Sequence, residues 1–174
     1  ELMVIRHCIF IMGPAGAGKS TTWKTLIGAY NADGQPSIYQ DLNPKTVNTL
    51  ELYGYNTSAG EWRMGLLSYW MKYYSEEIKD ERAKWIILDG DLDTKWIESM
   101  NSVMDDSRML TLASSDRIIL KLYMRLIFEI RDLRFASPAT VSRAGILYIS
   151  DTDGYQSECY FNSWLQRQDY SENK

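Results

Sequence analysis

Cys8-Ile-Phe-Ile-Met-Gly-Pro-Ala-Gly-Ala-Gly-Lys-Ser20 decides how this chain folds. Cys8 to Met12 is a short apolar run of β-formers, the pattern of a strand buried on both faces. Gly13-Pro-Ala-Gly-Ala-Gly-Lys19-Ser20 then supplies three glycines, a lysine and a hydroxyl. From Ser20 to Gly28 the spacing turns helical, with Trp23, Leu26 and Ile27 on one side. A strand, a glycine-rich loop and a helix in that order make a phosphate-binding loop. The glycines permit turns at positive φ with no Cβ in the way. The loop N–H groups and the helix N-terminus face an anion. Gly13, Pro14, Ala15, Gly16, Ala17, Gly18, Lys19, Ser20 and Thr21 are therefore the candidate ligands of ATP or GTP. Lys19 offers a point charge to the outer phosphates, and Ser20 a hydroxyl to Mg²⁺.

Further along, Lys84-Trp-Ile-Ile-Leu88 is a second apolar strand, and it ends in Asp89-Gly-Asp91. An acid leaving a purely apolar strand is the candidate second contact to Mg²⁺, beside Ser20. The alternative is an Asp that caps the turn before Gly90. Many nucleotide-hydrolysing proteins carry a Glu directly after such an Asp, to orient and deprotonate water. Here that place is Gly90, and losing a general base costs about 10²–10⁴ in rate. Asp91 lies one residue further on and points the other way along an extended chain. The residues thus predict nucleotide binding with slow turnover or none.

Strands are also expected at Ser37–Gln40, Arg125–Ile130 and Ile146–Ile149, with a hairpin across Arg108–Leu120. Short helices are expected over Val47–Tyr53 and Pro138–Arg143. A longer helix is expected over Trp62–Ile78, with Trp62, Leu66, Leu67, Trp70, Met71 and Tyr74 as its inward stripe. Another should begin at a Thr94 cap and run to Met104, and a modest helical piece should lie near Tyr160 to Gln166. Alternation of strands and helices gives an α/β domain with a mostly parallel sheet. The 174 residues carry a net charge of −4 and are 45% hydrophobic. No basic stripe suits duplex nucleic acid, and no run is long enough to span a bilayer. Cys8 and Cys159 lack metal-ligand spacing and read as reduced packing residues of an intracellular protein. A first residue other than Met is expected of a piece of something larger. Arg143, read from residues alone, is a surface arginine or one that reaches a neighbour's phosphate. His7 is given no role.

Asp41-Leu-Asn-Pro-Lys45, Glu51-Leu-Tyr-Gly54, Glu61-Trp62 and Gly65-Leu-Leu67 carry a resemblance. So do Trp85 to Asp91, Trp96 to Asn101, Val103 to Asp106, Leu110 to Leu112, Phe128-Glu-Ile130 and Ala139 to Gly145. Together these resemble the second AAA+ module of the dynein heavy chain, the motor ATPase of microtubules, over about residues 7 to 150. The resemblance implies a P-loop αβα sandwich on a mostly parallel five-stranded sheet, with small β-hairpin insertions. It implies a large subdomain over residues 1–150, and a connection to a helical lid over 151–174. It implies ATP or ADP held as a structural ligand with Mg²⁺, and negligible ATPase activity in the isolated, monomeric domain. Arg143 would act as an arginine finger for the preceding module. Neighbouring modules of the same chain and its linker would be the partners, the latter touching the two hairpins. Microtubules would be met only through the whole motor, in the cytoplasmic or axonemal cytoskeleton. One departure is the Ser114-Ser115 turn, where the family often has Asn-Gly. Arg131 is a candidate sensor at its strand end. The competing reading is a stand-alone small-molecule kinase, which needs an arginine-lined acceptor site and an Arg-rich lid, whereas the arginines here are scattered and no lid is expected.

Overall fold

The computed structural model describes residues 1–77, 80, 82–152 and 154–168. In chain order the elements are α1 (Leu2–Ile5), β1 (Cys8–Met12), α2 (Lys19–Ala32), β2 (Ser37–Leu42), α3 (Thr49–Tyr53), β3 (Gly54–Asn56), β4 (Trp62–Met64) and α4 (Leu66–Lys72). A π-helical turn, Tyr73–Glu77, follows α4. Then come β5 (Ala83–Asp89), α5 (Thr94–Ile97), a 3₁₀ turn, α6 (Asn101–Met104), β6 (Met109–Thr111), β7 (Arg117–Ile119), β8 (Met124–Ile130), α7 (Pro138–Arg143), β9 (Gly145–Tyr148) and α8 (Tyr155–Gln168).

Five strands form one sheet in the order β2-β5-β8-β1-β9, and every pairing in it is parallel. Parallel strands need crossovers, and the helices that make them cover both faces. One face holds Ile9, Ile11, Ile87, Trp85 and Ile127 against Trp23 and Ile27 of α2. The other holds Phe10, Ile86, Leu88, Leu126 and Phe128 against α3, α4, α5 and α6. Because side chains alternate along a strand, Asp89 lies on the face of Trp85 and Ile87, and Glu129 on the face of Ile127. Both carboxylates thus emerge on the α2 side, at the ends where the strands deliver their loops.

Several expectations need correction. Trp62 does not begin a helix: it belongs to β4, which pairs with β3 in a hairpin. The helix starts after Gly65 and turns π-helical at Tyr73; Ile78, its expected end, lies outside the described residues. Asp93, not Thr94, caps α5, accepting from the Lys95 N–H at 3.0 Å. The stretch to Met104 is three short turns, although Trp96, Ile97, Met100 and Val103 are buried as expected. The C-terminal helix is longer than expected, covering Tyr155–Gln168. Cys8 is buried, but Cys159 is exposed on that helix, so only Cys8 packs; neither is in a disulfide. The hairpin β6–β7 forms as read, with Ser115 at φ 70° in its turn. That left-handed conformation is why glycine suits the position.

Candidate phosphate-binding site

The glycine-rich loop leaves β1 at the carboxyl end of the sheet. Gly13 is fixed by its surroundings, since a Cβ there would lie 2.3 Å from the Ile149 carbonyl oxygen. Gly16 and Gly18 have φ of 79° and 88°, so both use the left-handed region. The space beside them is open, with nothing within 4 Å of a Cβ at either. Gly18 is the N-cap of α2, and no side chain caps that helix. Its first-turn N–H groups therefore lack a side-chain acceptor and carry the positive end of the helix dipole.

Lys19 folds back across the loop. Its ammonium donates to the carbonyls of Gly13 at 3.0 Å and Pro14 at 2.8 Å. Ser20 donates its hydroxyl to Glu129 Oε1 at 2.6 Å. Trp23, one turn along α2, donates its indole N–H to Glu129 Oε2 at 3.0 Å. Pro14, Ala15, Ala17 and Thr21 complete the loop and the first helical turn; Ala17 is buried, while Ala15 and Thr21 face solvent.

Asp89 sits directly opposite Glu129 in the β5–β8 register. Partial desolvation holds its carboxyl above the ordinary range, and the Glu129 charge adds to this; Lys19 works against both. Two acids side by side with a lysine near suit a site that takes a cation. Ser20 and Asp89 offer hard oxygen donors of the kind Mg²⁺ takes, with the Glu129 carboxylate behind the Ser20 hydroxyl. Among the described residues no three His, Cys, Asp or Glu side chains form a cage. A Mg²⁺ here would share its shell with phosphates and water, as that ion commonly does.

Glu129 escaped the sequence reading as a site residue. The signal was present, because an acid in Leu-Ile-Phe-Glu-Ile is as anomalous as Asp89 after its own apolar run. Arg131 contributes its backbone N–H, at 3.0 Å, to Asp91 Oδ1, which explains where Asp91 points. With Met12, Pro14, Asp132, Tyr148 and Asp151, Arg131 lines a cleft of about 320 Å³ next to the loop. A larger cleft of about 380 Å³, lined by Tyr30, Trp85 and Arg125 among others, opens at the opposite ends of the strands. It is remote from the loop chemistry.

Gly90 has a steric reason. A Cβ there would meet Asn43 Oδ1 at 2.8 Å and Pro44 Cδ at 3.3 Å. Asn43 is itself held in place, accepting from the Lys45 N–H at 2.9 Å.

Arg143 is not part of this site. It ends α7, two residues before Gly145, which pairs with Ile9 at the start of β1. The loop begins four residues beyond Ile9, about 13 Å along the strand. Its guanidinium is anchored locally, paired through Nε with Asp105 and donating from Nη1 to the Ala139 carbonyl at 2.6 Å.

Residues 8–144 match the family model of the AAA domain, dynein-related subfamily. The chain is 48% identical to the flagellar outer-arm dynein alpha chain of Chlamydomonas reinhardtii over 96% of its own length. It is 47% identical to human dynein axonemal heavy chain 9 over 97% of its length. It spans about 4% of the length of each of these relatives. The structure of NtrX from Brucella abortus overlays with a TM-score of 0.52 at 17% identity, covering 82% of this chain and 32% of that one; this likeness concerns the fold alone. No helix among the described residues is long and apolar enough to cross a membrane. The matched span covers both the phosphate loop and Arg143, and the chain belongs to the dynein-related AAA domain family.

Proposed function

We propose that this chain is the second AAA+ module of a dynein-type heavy chain, a module that binds ATP or ADP with Mg²⁺ and hydrolyses it slowly or not at all. The observation that carries this reading is the pairing of a complete cradle with a blocked base position. Gly16, Gly18 and the start of α2 would wrap the phosphates. Lys19 would exchange its two loop carbonyls for phosphate oxygens. Ser20 and Asp89 would hold Mg²⁺, which when bound screens the phosphate charge. The position after Asp89, where a water-activating carboxylate would stand, is a glycine packed against Asn43 and Pro44. Glu129 does not replace it, because both its oxygens already accept from Ser20 and Trp23. A carboxylate so engaged is poorly placed to take a proton from water.

Arg143 belongs to the same reading as a group offered to the preceding module. It lies too far from the loop of its own chain, at the other ends of the strands. In a ring of modules it would serve a neighbouring site, where such fingers are worth about 10³–10⁵ in rate. The ring, its linker and the microtubule track are what the resemblance to dynein heavy chains implies, and the axonemal setting comes through relatives that are flagellar and axonemal dyneins by name.

The test is ATP affinity by titration calorimetry, in wild type and Lys19→Ala. The expected result is binding in wild type that weakens by at least about tenfold in the variant, roughly the 1.4 kcal/mol of one charged contact. Equal affinity in both would refute the proposed site.

A further inference from the structure

Glu129 has a donor on each oxygen, and this polarises the hydroxyl most directly concerned with the metal. It is 8% exposed, set in β8 between Ile11 of β1 and Asp89 of β5. Its Oε2 is pinned by the Trp23 indole, which can only donate. Its Oε1 must then receive the Ser20 hydroxyl hydrogen, at 2.6 Å. With that hydrogen turned toward β8, the lone pairs of Ser20 Oγ point away from it. We infer that Glu129 is the positioning residue of the Mg²⁺ site: clamped by Trp23, it presents Ser20 to the cation as an oriented acceptor and adds a second carboxylate beside Asp89. This rests on the nucleotide-binding reading above and extends it to how tightly the metal is held.

The donor and acceptor count makes the role testable. Gln has almost the same shape but one acceptor atom in place of two. In Glu129→Gln the amide oxygen stays with the Trp23 N–H, since two N–H groups cannot face each other. The amide N–H₂ then faces Ser20 and donates to it, so the hydroxyl hydrogen swings out toward the metal position. Partners one shell out from a metal ligand typically change metal affinity by about 10–100-fold. The nucleotide's contacts with Lys19 and the loop N–H groups are left in place.

The experiment measures ATP affinity of this chain by calorimetry, with saturating Mg²⁺ and again with excess EDTA. Wild type should bind more tightly with Mg²⁺. In Glu129→Gln that gain should shrink by about 10–100-fold, with no loss of affinity in EDTA. Ser20→Ala should lose the gain by itself, and adding Glu129→Gln to it should remove little more, as for residues acting through one another. Trp23→Phe keeps the carboxylate charge but frees Oε2. A partial loss of the Mg²⁺ gain there supports orientation, and a full gain overturns it. Glu129→Gln with a wild-type Mg²⁺ gain, or with equal losses in Mg²⁺ and EDTA, also overturns the proposal. Failure of wild type to bind ATP in either condition refutes the nucleotide reading itself, and this inference with it.

Discussion

Restoring the missing carboxylate by Gly90→Glu should damage the fold without restoring hydrolysis. The new Cβ would lie 2.8 Å from Asn43 Oδ1 and 3.3 Å from the rigid Pro44 ring. Asn43 can yield only by releasing the Lys45 N–H, a bond whose loss costs about 0.5–1.5 kcal/mol. Crowding against Pro44 adds about 1–3 kcal/mol. Removing a glycine from the unfolded chain returns about 0.4–1 kcal/mol. The net is about 2 kcal/mol, which for a chain of this size lowers Tm by roughly 4–8 °C. Turnover should stay at the wild-type level, since the isolated chain has no neighbour to supply an arginine. The assay is a thermal melt with a steady-state phosphate-release measurement on the same sample. Asn43→Ala placed alongside Gly90→Glu should recover part of the lost Tm. A Gly90→Glu protein that melts like wild type would refute the steric reasoning. A gain approaching the 10²–10⁴ of a restored base would refute the catalytic reasoning.

Other perturbations probe other parts of the molecule. In an intact ring, Arg143→Ala should slow hydrolysis at the preceding module by about 10³-fold or more while nucleotide affinity at this site holds, measured by ring ATPase rate and by binding. His7 is buried and its Nε2 bonds the Val103 carbonyl at 2.7 Å; burial lowers its pKa below 6.5. The unfolded chain therefore binds that proton at higher pH than the folded one, so stability is lost as pH falls through 6.5 toward the folded value. Melts between pH 7.5 and 5 should show a steeper decline in wild type than in His7→Gln. Leu126→Ala, in the centre of the sheet at 0% exposure, should cost about 2–5 kcal/mol by chemical denaturation. ATP offered with nucleoside monophosphates should yield no ADP, which separates this chain from a small-molecule kinase.

Much of the fold could be read because its signals are local and redundant. Each central strand is an apolar run bounded by a turn, and the phosphate loop combines glycine, lysine and serine at fixed offsets. The errors arose where two periodicities overlap. Trp62 stands four residues before Leu66, which mimics a helical stripe. In the structure Trp62 pairs across a hairpin, and its ring approaches Gly54 so closely that a Cβ there would lie 2.3 Å away. Such a contact between residues eight apart cannot be seen in helical spacing. Asp93 and Thr94 are both good caps, and only the backbone conformation chooses between them. Glu129 was legible as an anomaly but not as a neighbour of Ser20, 109 residues away. The parallel register of β8 between β1 and β5 creates that contact. The steric reason for Gly90 is equally non-local, since Asn43 and Pro44 reach it from the end of β2.

The central claim is that this chain holds ATP intact. Its most direct test is the melting temperature with and without Mg-ATP, followed by recovery and analysis of the nucleotide. At about 100 times its Kd a ligand stabilises by about 2.7 kcal/mol. For this chain that is a rise of roughly 5–10 °C. If the chain holds ATP intact, wild type should show that rise, Lys19→Ala should lose it, and the recovered nucleotide should still be ATP. A rise accompanied by conversion to ADP, or no rise in wild type, would contradict it.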